Sequence, residues 1–338
     1  MKHKSTLLLI SSFIICACAK PIPSQNEFVL GTLCTVTLYE KGRSALYQRI
    51  FSRLREIEDT MSANRADTDV DRINQMAAIA PVPVGEDLFT VIETALHYAQ
   101  LSEGAFDPTV GPLVKLWNIG FDNARIPESG EIASVLPLIN WRNVILDQQH
   151  KTVFLTAPGM QLDLGGIAKG YAADEAVRII RSLGIPRAIV NLGGNVYTYG
   201  IKKDKSPWQV GIQDPLDNRD SSLGFMTIFN QTLVTSGVYE RYFVQDEKQY
   251  HHILSTKTGY PAETGLLSVT VVADRSIDAD ALSTGIFALG YEHGLALLEN
   301  LGNVQAIFVF KDGTIHGTPQ ALKNFTLTNT ERFTLIKD

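Results

Sequence analysis

The chain is poor in cysteine. Only three cysteines occur in 338 residues, and two of them, Cys16 and Cys18, lie near the N-terminus. Cys34 is therefore alone in the rest of the chain, which cannot form a disulfide within itself and must be held together by its hydrophobic core. A length of about 310 residues is ample for such a core. Cys34 lies in an apolar run, so we expect a buried, unreactive side chain there.

Positive charge is also scarce. The formal net charge is −6 and the isoelectric point is close to 5.7. No basic run follows the first few residues. Because proteins that bind nucleic acids neutralise phosphates with clustered lysines and arginines, the composition argues against a nucleic-acid partner.

The apolar run near the N-terminus, from Leu7 to Ile15, is too short for a membrane-spanning helix, which needs about 20 apolar residues. It follows a short basic start with Lys2 and Lys4, and together these features indicate an export signal. The protein is therefore expected outside the cytoplasm.

The end of this run, residues 14–19, resembles a bacterial lipobox. Cleavage before Cys18 would leave the small Ala17 at the preceding position, so residues 1–17 are predicted to be a signal peptide and Cys18 to carry lipid. Residues 18–27, rich in proline and polar side chains, are predicted to form a tether between membrane and domain. The alternative is an ordinary secretory signal without lipid.

The remaining chain, residues 28–338, is predicted to be one α+β domain. Apolar residues recur at helical spacing in three segments, around 46–61, 88–99 and 168–183. Strands outnumber helices and several are consecutive, which favours α+β layers over a regular parallel array. The predicted strands are residues 29–39, 152–156, 188–192, 208–212, 225–229, 250–254, 267–273 and 306–310.

A carboxylate and two hydroxyls share one face of a further predicted helix. Asp280, Ser283 and Thr284 are spaced i, i+3 and i+4 and are therefore neighbours on a helix surface. Three oxygen ligands without histidine or cysteine suit Mg²⁺ or Ca²⁺ rather than zinc. The alternative is an aspartate near a helix N-terminus, favoured by the helix dipole, followed by ordinary hydroxyl residues.

Two other segments are candidates for chemistry. Gly165 and Gly166 lie where a strand leads into the third helix, a junction that can hold a phosphate group or simply allow close helix packing. His251 and His252 lie in the predicted strand 250–254 and so face opposite ways. One of them could be a general base, and a surface histidine next to a buried one is the alternative.

Seven motifs in chain order resemble those of ApbE-type FAD:protein FMN transferases, over nearly the whole length after residue 28. They are MS (61–62), DVDRIN (69–74), GAFDPTVGPL (104–113), LDLGGIAKG (162–170), TSG (235–237), HILSTKTG (252–259) and ADALST (279–284). The resemblance implies a fold of the T-fold type, bound FAD, Mg²⁺ and a periplasmic location. The lipid anchor would then hold the protein on the periplasmic face of a membrane, with the inner membrane favoured.

The resemblance also implies roles for individual residues. Mg²⁺ would lie between Gly166, Asp280, Ser283 and Thr284, and His252 would be the catalytic base. The residues implied to contact FAD are Leu30, Asn64, Ala105, Phe106, Asp107, Asp163, Lys169 and the backbone near Leu254. The implied reaction transfers FMN from FAD to a threonine of an acceptor protein and releases AMP. The implied acceptors are subunits of membrane redox complexes.

The chain departs from the family pattern at two places. Ser255 and Thr256 replace the usual Asp-Pro after the catalytic histidine, and Asn64 stands where many relatives have tyrosine. The second departure suggests that water could enter and hydrolyse FAD to FMN and AMP. A carrier that binds FAD without turnover is the non-enzymatic alternative.

Overall fold

The computed structural model describes residues 24–39, 44–217, 221–302 and 304–336. The predicted signal peptide, the lipidation site Cys18 and most of the predicted tether lie outside the described residues. Within the described ranges, no helix is both long and apolar enough to cross a membrane.

The helices follow the apolar periodicity of the sequence. The three predicted segments correspond to α1, α3 and α6, and the segment with Asp280 corresponds to α7. In the part of the chain that the structure describes, the α-helices are α1 Ser44–Met61, α2 Asp69–Gln75, α3 Glu86–Leu101, α4 Gly111–Trp117, α5 Ser129–Val135, α6 Ala168–Ser182, α7 Ser276–Leu289, α8 Tyr291–Leu301 and α9 Pro319–Asn324.

The strands form one large sheet and three small ones. In chain order the described strands are β1 Gln25–Val29, β2 Thr32–Leu38, β3 Val82–Pro83, β4 Val144–Asp147, β5 Thr152–Leu155, β6 Ala188–Leu192, β7 Asn195–Tyr199, β8 Trp208–Gln213, β9 Ser222–Ile228, β10 Thr232–Gly237, β11 Tyr242–Gln245, β12 Lys248–His251, β13 Leu266–Ala273, β14 Gln305–Phe310, β15 Thr314–Gly317, β16 Phe325–Leu327 and β17 Thr334–Leu335.

The large sheet has the order β1-β2-β6-β7-β10-β13-β14-β15-β17, and only the last pair is parallel. β13 is buried along its whole length, as expected for a central strand. Helix α7 packs on β10 and β13, α6 packs on α7, and α1 packs on α6. The helices are layered on an antiparallel sheet, which is the predicted α+β arrangement.

The small sheets are peripheral. One has the order β16-β9-β8, another has the order β3-β5-β4, and β11 and β12 form a hairpin of their own. The hairpin follows β10 directly and leads into the segment that contains His252. It therefore links the central sheet to the candidate catalytic histidine.

Several sequence-based boundaries differ from the structure. The sheet begins at Gln25, before the predicted domain start at residue 28, because the polar strand β1 pairs with β2 at the sheet edge. The predicted strand 250–254 is wrong in its limits: β12 ends at His251, so His252 follows the strand. The TSG motif lies in a strand that the sequence did not predict, since Thr235–Gly237 belong to β10 and pair with β13.

Candidate functional site

The side chain of Asp280 is buried and points at the start of α6. It is 3% exposed, and its Oδ2 accepts a hydrogen bond of 2.8 Å from the backbone N–H of Gly170. Gly170 is in the first turn of α6, where backbone N–H groups have no partner within the helix. Asp280 therefore caps a neighbouring helix rather than its own, which argues against the simpler interpretation of an aspartate that caps α7.

Lys169 is the cation beside this carboxylate. Its Nζ lies 3.8 Å from Asp280 Oδ1 and donates a hydrogen bond of 2.9 Å to the carbonyl of Gly165. Burial raises the pKa of Asp280, and the charge of Lys169 and the Gly170 N–H oppose that rise. A buried carboxylate with one partly exposed cation nearby is a favourable position for a further positive charge.

The hydroxyls of Ser283 and Thr284 meet a third hydroxyl that the sequence did not single out. Ser236 Oγ, on β10, lies 2.8 Å from Ser283 Oγ and 3.3 Å from Thr284 Oγ1. Ser283 is fully buried and also donates to the carbonyl of Asp280, so its hydroxyl is the more fully engaged of the two. The motif TSG (235–237) was the only signal that could have pointed to Ser236.

The glycine loop before α6 lies against Thr284 and Phe106. A methyl group added at Gly166 would lie 3.1 Å from Phe106 Cε2 and 3.4 Å from Thr284 Oγ1. The absence of a side chain at Gly166 thus allows its backbone to approach both neighbours. The structure brings Gly166, Thr284, Asp280 and Lys169 into one place, and their roles in binding metal and pyrophosphate stay predictions.

The side chain of Asp163 is hydrogen-bonded to the backbone of the same glycine loop. Its Oδ1 accepts a hydrogen bond of 2.7 Å from the Gly165 N–H, and its own N–H donates to the carbonyl of Pro108. The preceding residue, Leu162, exchanges two hydrogen bonds with the side chain of Asn74. Asn74 is a positioning residue 88 residues away in sequence, which explains the last residue of the DVDRIN motif.

The segment after α3 places Phe106 at the site by means of Asp107. Asp107 Oδ1 accepts from the N–H and the hydroxyl of Thr109, and Oδ2 accepts from the Trp141 N–H. Burial raises the pKa of Asp107, and these hydrogen bonds oppose the rise. Both carboxylate oxygens thus have partners within the fold. Ala105 lies in the same turn and is partly exposed. FAD contacts by Ala105, Phe106 and Asp107 stay predictions.

The donor set at Asp280 fits a hard divalent cation. No group of three or more histidine, cysteine, aspartate or glutamate side chains is near enough to hold a metal in the described ranges. The oxygens available are one carboxylate, the hydroxyls of Ser236, Ser283 and Thr284, and the backbone carbonyls of the glycine loop. Mg²⁺ commonly takes one or two carboxylates and completes its shell with water and phosphate oxygens, so this set is compatible with it.

His252 lies directly after β12, next to Arg241. Both its backbone N–H and its Nδ1 lie within hydrogen-bond distance of the Arg241 carbonyl, at 3.1 and 3.2 Å. Desolvation lowers the pKa of His252 well below its usual value, and the positive charges of Arg241 and Lys169 lower it further. The imidazole is therefore neutral at physiological pH and able to accept a proton. The turn that follows His252 is joined to the segment that holds Phe106 by the hydrogen bond from Thr256 Oγ1 to the Gly104 carbonyl, and Phe106 lies against Gly166.

Leu30 and Asn64 lie in two loops that both contact Glu58, which accepts a hydrogen bond from the Gly31 N–H and pairs with Arg65. Leu30 and Gly31 both have positive φ and form the two-residue turn between β1 and β2. A side chain built at Gly31 would begin 3.6 Å from Arg241 Nη2, which brings this turn to the neighbourhood of His252. Asn64 is exposed, after α1, and its N–H donates to Ser62 Oγ. The hydrogen bond of Asn64 is thus local, and none joins it to Asp280, Ser283 or Thr284 within the described residues.

The side chain of Leu254 is buried in a hydrophobic cluster. Leu254 pairs with Pro261 in an isolated bridge, and its side chain is buried with Leu113, Trp117 and Ile132 in a small separate cluster. The prediction named the backbone near Leu254, and that contact stays a prediction.

The comparison with known proteins decides the family. The ApbE family model matches residues 30–308. The chain belongs to the ApbE family. It is 40% identical to the FAD:protein FMN transferase of Treponema pallidum (strain Nichols) over 312 residues, 87% of this chain and 86% of that protein. It is also 40% identical to a FAD:protein FMN transferase of Klebsiella pneumoniae (strain 342), over 89% of this chain and 93% of that protein.

Solved structures of the family show the same fold. The ApbE protein of Thermotoga maritima superposes with a TM-score of 0.82 and 33% identity, over 89% of this chain and 98% of that one. The flavin transferase ApbE of Vibrio cholerae superposes with a TM-score of 0.80 and 28% identity, over the same shares. The predicted family, the α+β ApbE architecture and the class of enzyme, a flavin transferase, are therefore confirmed.

The departure from the family pattern at residues 255 and 256 has a structural account. Ser255 Oγ accepts hydrogen bonds from the N–H groups of Lys257 and Thr258, at 3.3 and 3.2 Å. An aspartate in a turn makes this same kind of bond, and serine hydroxyls make it more weakly. Thr256 Oγ1 donates a hydrogen bond of 2.7 Å to the carbonyl of Gly104 and so joins this turn to the segment that contains Phe106. The two hydroxyls thus hold the turn that follows His252.

Replacing Gly170 by alanine should destabilise the protein by about 1–3 kcal/mol or more, the usual range for overpacking. A methyl group there would lie 2.3 Å from the backbone carbonyl of Ser276, so α6 and α7 would have to move apart. That movement would also weaken the hydrogen bond between the Gly170 N–H and Asp280. Thermal unfolding of the metal-free protein measures the loss.

Gly130→Ala is the matched control for Gly170→Ala. Gly130 also lies in a helix, α5, but nothing lies within 4 Å of the added methyl group. The melting temperature of Gly130→Ala should equal or exceed that of the wild type, since alanine is a better helix former than glycine. Equal melting temperatures for the two variants would show that the contact between α6 and α7 is not tight.

Proposed function

We propose that this protein transfers the FMN moiety of FAD to a threonine hydroxyl of an acceptor protein, in a Mg²⁺-dependent reaction that releases AMP. The observation that carries the proposal is the buried carboxylate of Asp280, next to Lys169 and beside the Gly166 loop. Phe106 lies against that loop, and the Phe106 segment is hydrogen-bonded to the turn that follows His252. The identity with FAD:protein FMN transferases supports the choice of FAD as the substrate.

The glycine loop and α6 form the side of the site that would receive the pyrophosphate. The N-terminal end of α6 carries a partial positive charge, and Gly165 and Gly166 leave the backbone accessible in front of it. Lys169 is the second residue of α6 and adds a full positive charge. The aromatic ring of Phe106 lies against Gly166. These groups would hold two phosphates and the atoms attached to them.

Asp280, Thr284 and a carbonyl of the glycine loop would hold Mg²⁺, with Ser236 and Ser283 as supporting hydroxyls. When bound, the ion would neutralise phosphate charge and stabilise the charge on the departing phosphate. Asp280 keeps Oδ1 free of backbone hydrogen bonds, because the Gly170 N–H binds Oδ2. Asp280 is a buried residue of a helix, so its carboxylate is held in a fixed position, which a residue on a mobile loop would not be.

His252 would take the proton from the attacking hydroxyl. The threonine oxygen forms a bond to the flavin-side phosphorus, the bond from that phosphorus to the bridging oxygen breaks, and AMP leaves with the bridging oxygen. The threonine proton passes to the imidazole, which is unprotonated because its pKa is lowered. The product is FMN joined to threonine as a phosphodiester.

The direct test is a transfer assay with purified protein, FAD, Mg²⁺ and candidate acceptors. Flavin fluorescence of the acceptor in a denaturing gel measures transfer, and chromatography measures AMP. The proposal expects equal amounts of labelled acceptor and AMP, and no labelled acceptor when EDTA replaces Mg²⁺. Labelling that persists in EDTA would contradict the metal assignment, and AMP without label would favour a hydrolase.

The proposed location is the periplasmic face of a bacterial membrane, with a lipid on Cys18. The proposed acceptors are extracytoplasmic subunits of membrane redox complexes. The support is the export signal and lipobox-like segment in the sequence. Metabolic labelling with a clickable fatty acid tests the anchor: Cys18→Ser should abolish the label, whereas Cys16→Ser should leave cleavage and lipid unchanged.

The second candidate function is hydrolysis of FAD to FMN and AMP, favoured by the exposed Asn64. If Asn64 leaves the nucleotide open to water, Asn64→Tyr should slow AMP release without acceptor and tighten FAD binding several-fold, by about 0.5–1.5 kcal/mol of aromatic contact. AMP release and FAD affinity are measured on the same preparation. Asn64→Ala is the control, because it removes the amide without adding a ring.

Two outcomes would contradict this hydrolase prediction. If the wild-type protein with Mg²⁺ releases no AMP in the absence of acceptor, water does not compete with threonine. If Asn64→Ala slows AMP release as much as Asn64→Tyr does, the amide itself contributes and the aromatic ring has no special effect. A protein that binds FAD and releases no AMP with any acceptor would instead be the carrier.

A further inference from the structure

A large cavity lies beside the candidate site but shares none of the residues assigned to FAD or metal. Its volume is about 1120 Å³. All of β12 borders it, together with the turn between α7 and α8 and the end of β14. Residues that represent these walls are Lys248, Tyr250, His251, Thr264, Tyr291 and Lys311. The volume exceeds the usual range of about 300–1,000 Å³ for small-molecule pockets.

The strand that borders the cavity has a free edge. β11 and β12 form a hairpin, and Asp246 and Glu247 at its turn both have positive φ, as a type I′ turn requires. The described residues pair β12 with β11 alone, so its other side adjoins the cavity.

The register of the hairpin shows which backbone groups face the cavity. The His252 N–H donates to the Arg241 carbonyl, so positions 241 and 252 form a hydrogen-bonded pair. Such pairs alternate along an antiparallel ladder, so the next ones are Phe243 with Tyr250 and Gln245 with Lys248. The N–H and C=O groups of Gln249 and His251 therefore point away from β11.

A buried side chain at this edge lacks a partner. His251 is 8% exposed, and its Nδ1 makes no hydrogen bond within the described ranges. The ring is hydrogen-bonded to the backbone of Ala262, and burial lowers its pKa to about 4. A neutral ring that donates through its other nitrogen leaves Nδ1 as an acceptor, which needs an N–H or O–H group from outside.

We propose that an extended segment of the acceptor protein binds along the free edge of β12 as a third strand. Its backbone would pair with the N–H and C=O groups of Gln249 and His251, and one of its N–H or O–H groups would bind His251 Nδ1. His252 is the residue after β12, so the segment would deliver its hydroxyl to the catalytic base. This inference rests on the proposed function, because it assumes that a protein hydroxyl is the acceptor.

The probe is a library of decapeptides with one central threonine and random flanking positions. Peptides that become labelled with flavin in the presence of FAD and Mg²⁺ are isolated and used to measure KM. Gln249→Pro removes the N–H that faces the cavity and should raise the peptide KM at least about tenfold. FAD affinity should change by less than about twofold, because no FAD residue is altered.

Two matched variants separate the free edge from general damage. Val244→Pro places proline on β11, directly opposite Gln249, where the N–H faces the other side of the hairpin. Gln249→Ala removes the side-chain hydrogen bond to the Val238 carbonyl but keeps the backbone N–H. Both should leave the peptide KM within about twofold of wild type. A peptide methylated at the backbone nitrogen that pairs with this edge should bind the wild-type enzyme more weakly. This measurement tests the same hydrogen bond even if the proline variant does not fold.

Distinct outcomes bear on the inference and on the proposed function. If the two proline variants raise KM equally, or if no methylated position in the peptide weakens binding, docking on β12 is wrong. If proteins of a cell extract become labelled but no peptide does, an extended segment is not what binds, and the inference fails while the transferase stands. If neither is labelled although FAD binds, the proposed function fails and the inference with it.

Discussion

Asp280→Asn should abolish most FMN transfer and leave the metal-free protein as stable as wild type. The substitution keeps the shape and a side-chain oxygen that can accept from the Gly170 N–H, but it removes the negative charge. Loss of one preorganised electrostatic group commonly costs about 10²–10³-fold in rate. Calorimetric titration with Mg²⁺ in the presence of FAD should show the matching loss of metal affinity.

The stability half of this prediction follows from burial. Burial raises the pKa of Asp280, so the folded protein tolerates its charge at a cost, and the neutral amide removes that cost. The loss of a charged hydrogen bond to Gly170 acts in the other direction. We therefore expect the melting temperature to fall by no more than about 2 °C, which is about 1.3 kcal/mol for a chain of this size.

Asp278→Asn is the control for Asp280→Asn. Asp278 is two residues earlier on α7, lies 3.7 Å from Arg275, and is not near the hydroxyl group of residues 236, 283 and 284. Asp278 is partly buried and hydrogen-bonded to Tyr98, a bond that the amide oxygen of asparagine can keep, so the transfer rate should match wild type within about threefold. Wild-type activity of Asp280→Asn at limiting Mg²⁺ would overturn the assignment of Asp280 as a metal ligand.

The sequence predicted the elements of the site better than their partners. The spacing of Asp280, Ser283 and Thr284 predicted that they lie on one face of a helix, and the structure has that helix as α7. Helical periodicity is a local signal and needs no knowledge of the fold. Ser236 and Asn74 were missed as site residues because they act across 47 and 88 residues of sequence. Nothing local distinguishes such a serine or asparagine from a surface residue.

Turn chemistry explains the errors at the strand limits. The hairpin β11–β12 turns at Asp246 and Glu247, which lack the Asn-Gly or Asp-Gly pair that usually signals a type I′ turn. Without that signal, the strand was placed two residues too late and His252 was assigned to its interior. β1 was missed for another reason: its sequence QNEFV is mostly polar, as is common for a strand at a sheet edge.

Burial could not be predicted for Asp107 and Asp280. Both were expected to face a ligand, yet the structure places each of them under 9% exposed with backbone N–H groups as partners. A sequence shows that a carboxylate is present, but its partners depend on tertiary packing. For Asp280 the burial strengthens the metal hypothesis, whereas for Asp107 it indicates a structural contribution to the turn that presents Phe106.

His252→Ala should lower kcat for transfer by about 10²–10⁴-fold, the usual contribution of a general base, with little change in FAD affinity. The hydrogen bond that the imidazole of His252 makes is to the Arg241 carbonyl, and not to Asp280, Ser283 or Thr284. Stopped-flow or quenched measurements with saturating FAD, Mg²⁺ and acceptor give kcat, and fluorescence titration gives FAD affinity.

His251→Gln is the control for His252→Ala, since it alters the neighbouring histidine on the other side of the backbone. His251 borders the cavity at β12 and not the metal site, so its loss should affect the acceptor KM and leave kcat nearly unchanged. Equal losses of kcat for both variants would show that the two histidines contribute only to the local structure of this segment.

The pH dependence gives the sharper test of His252 as the base. The pH profile of kcat/KM for FAD reports groups of the free enzyme, and an ordinary histidine would lose about three-quarters of its base form between pH 7.5 and pH 6. Because desolvation and the charge of Arg241 lower the pKa of His252, its base form persists as the pH falls, and the profile should be flat from pH 7.5 to 6. Arg241→Gln removes one of these causes. The pKa of His252 should therefore rise in this variant, and the acid limb of its profile should move to higher pH. A wild-type acid limb near the ordinary histidine value, unmoved in Arg241→Gln, would mean that the proton goes to another group.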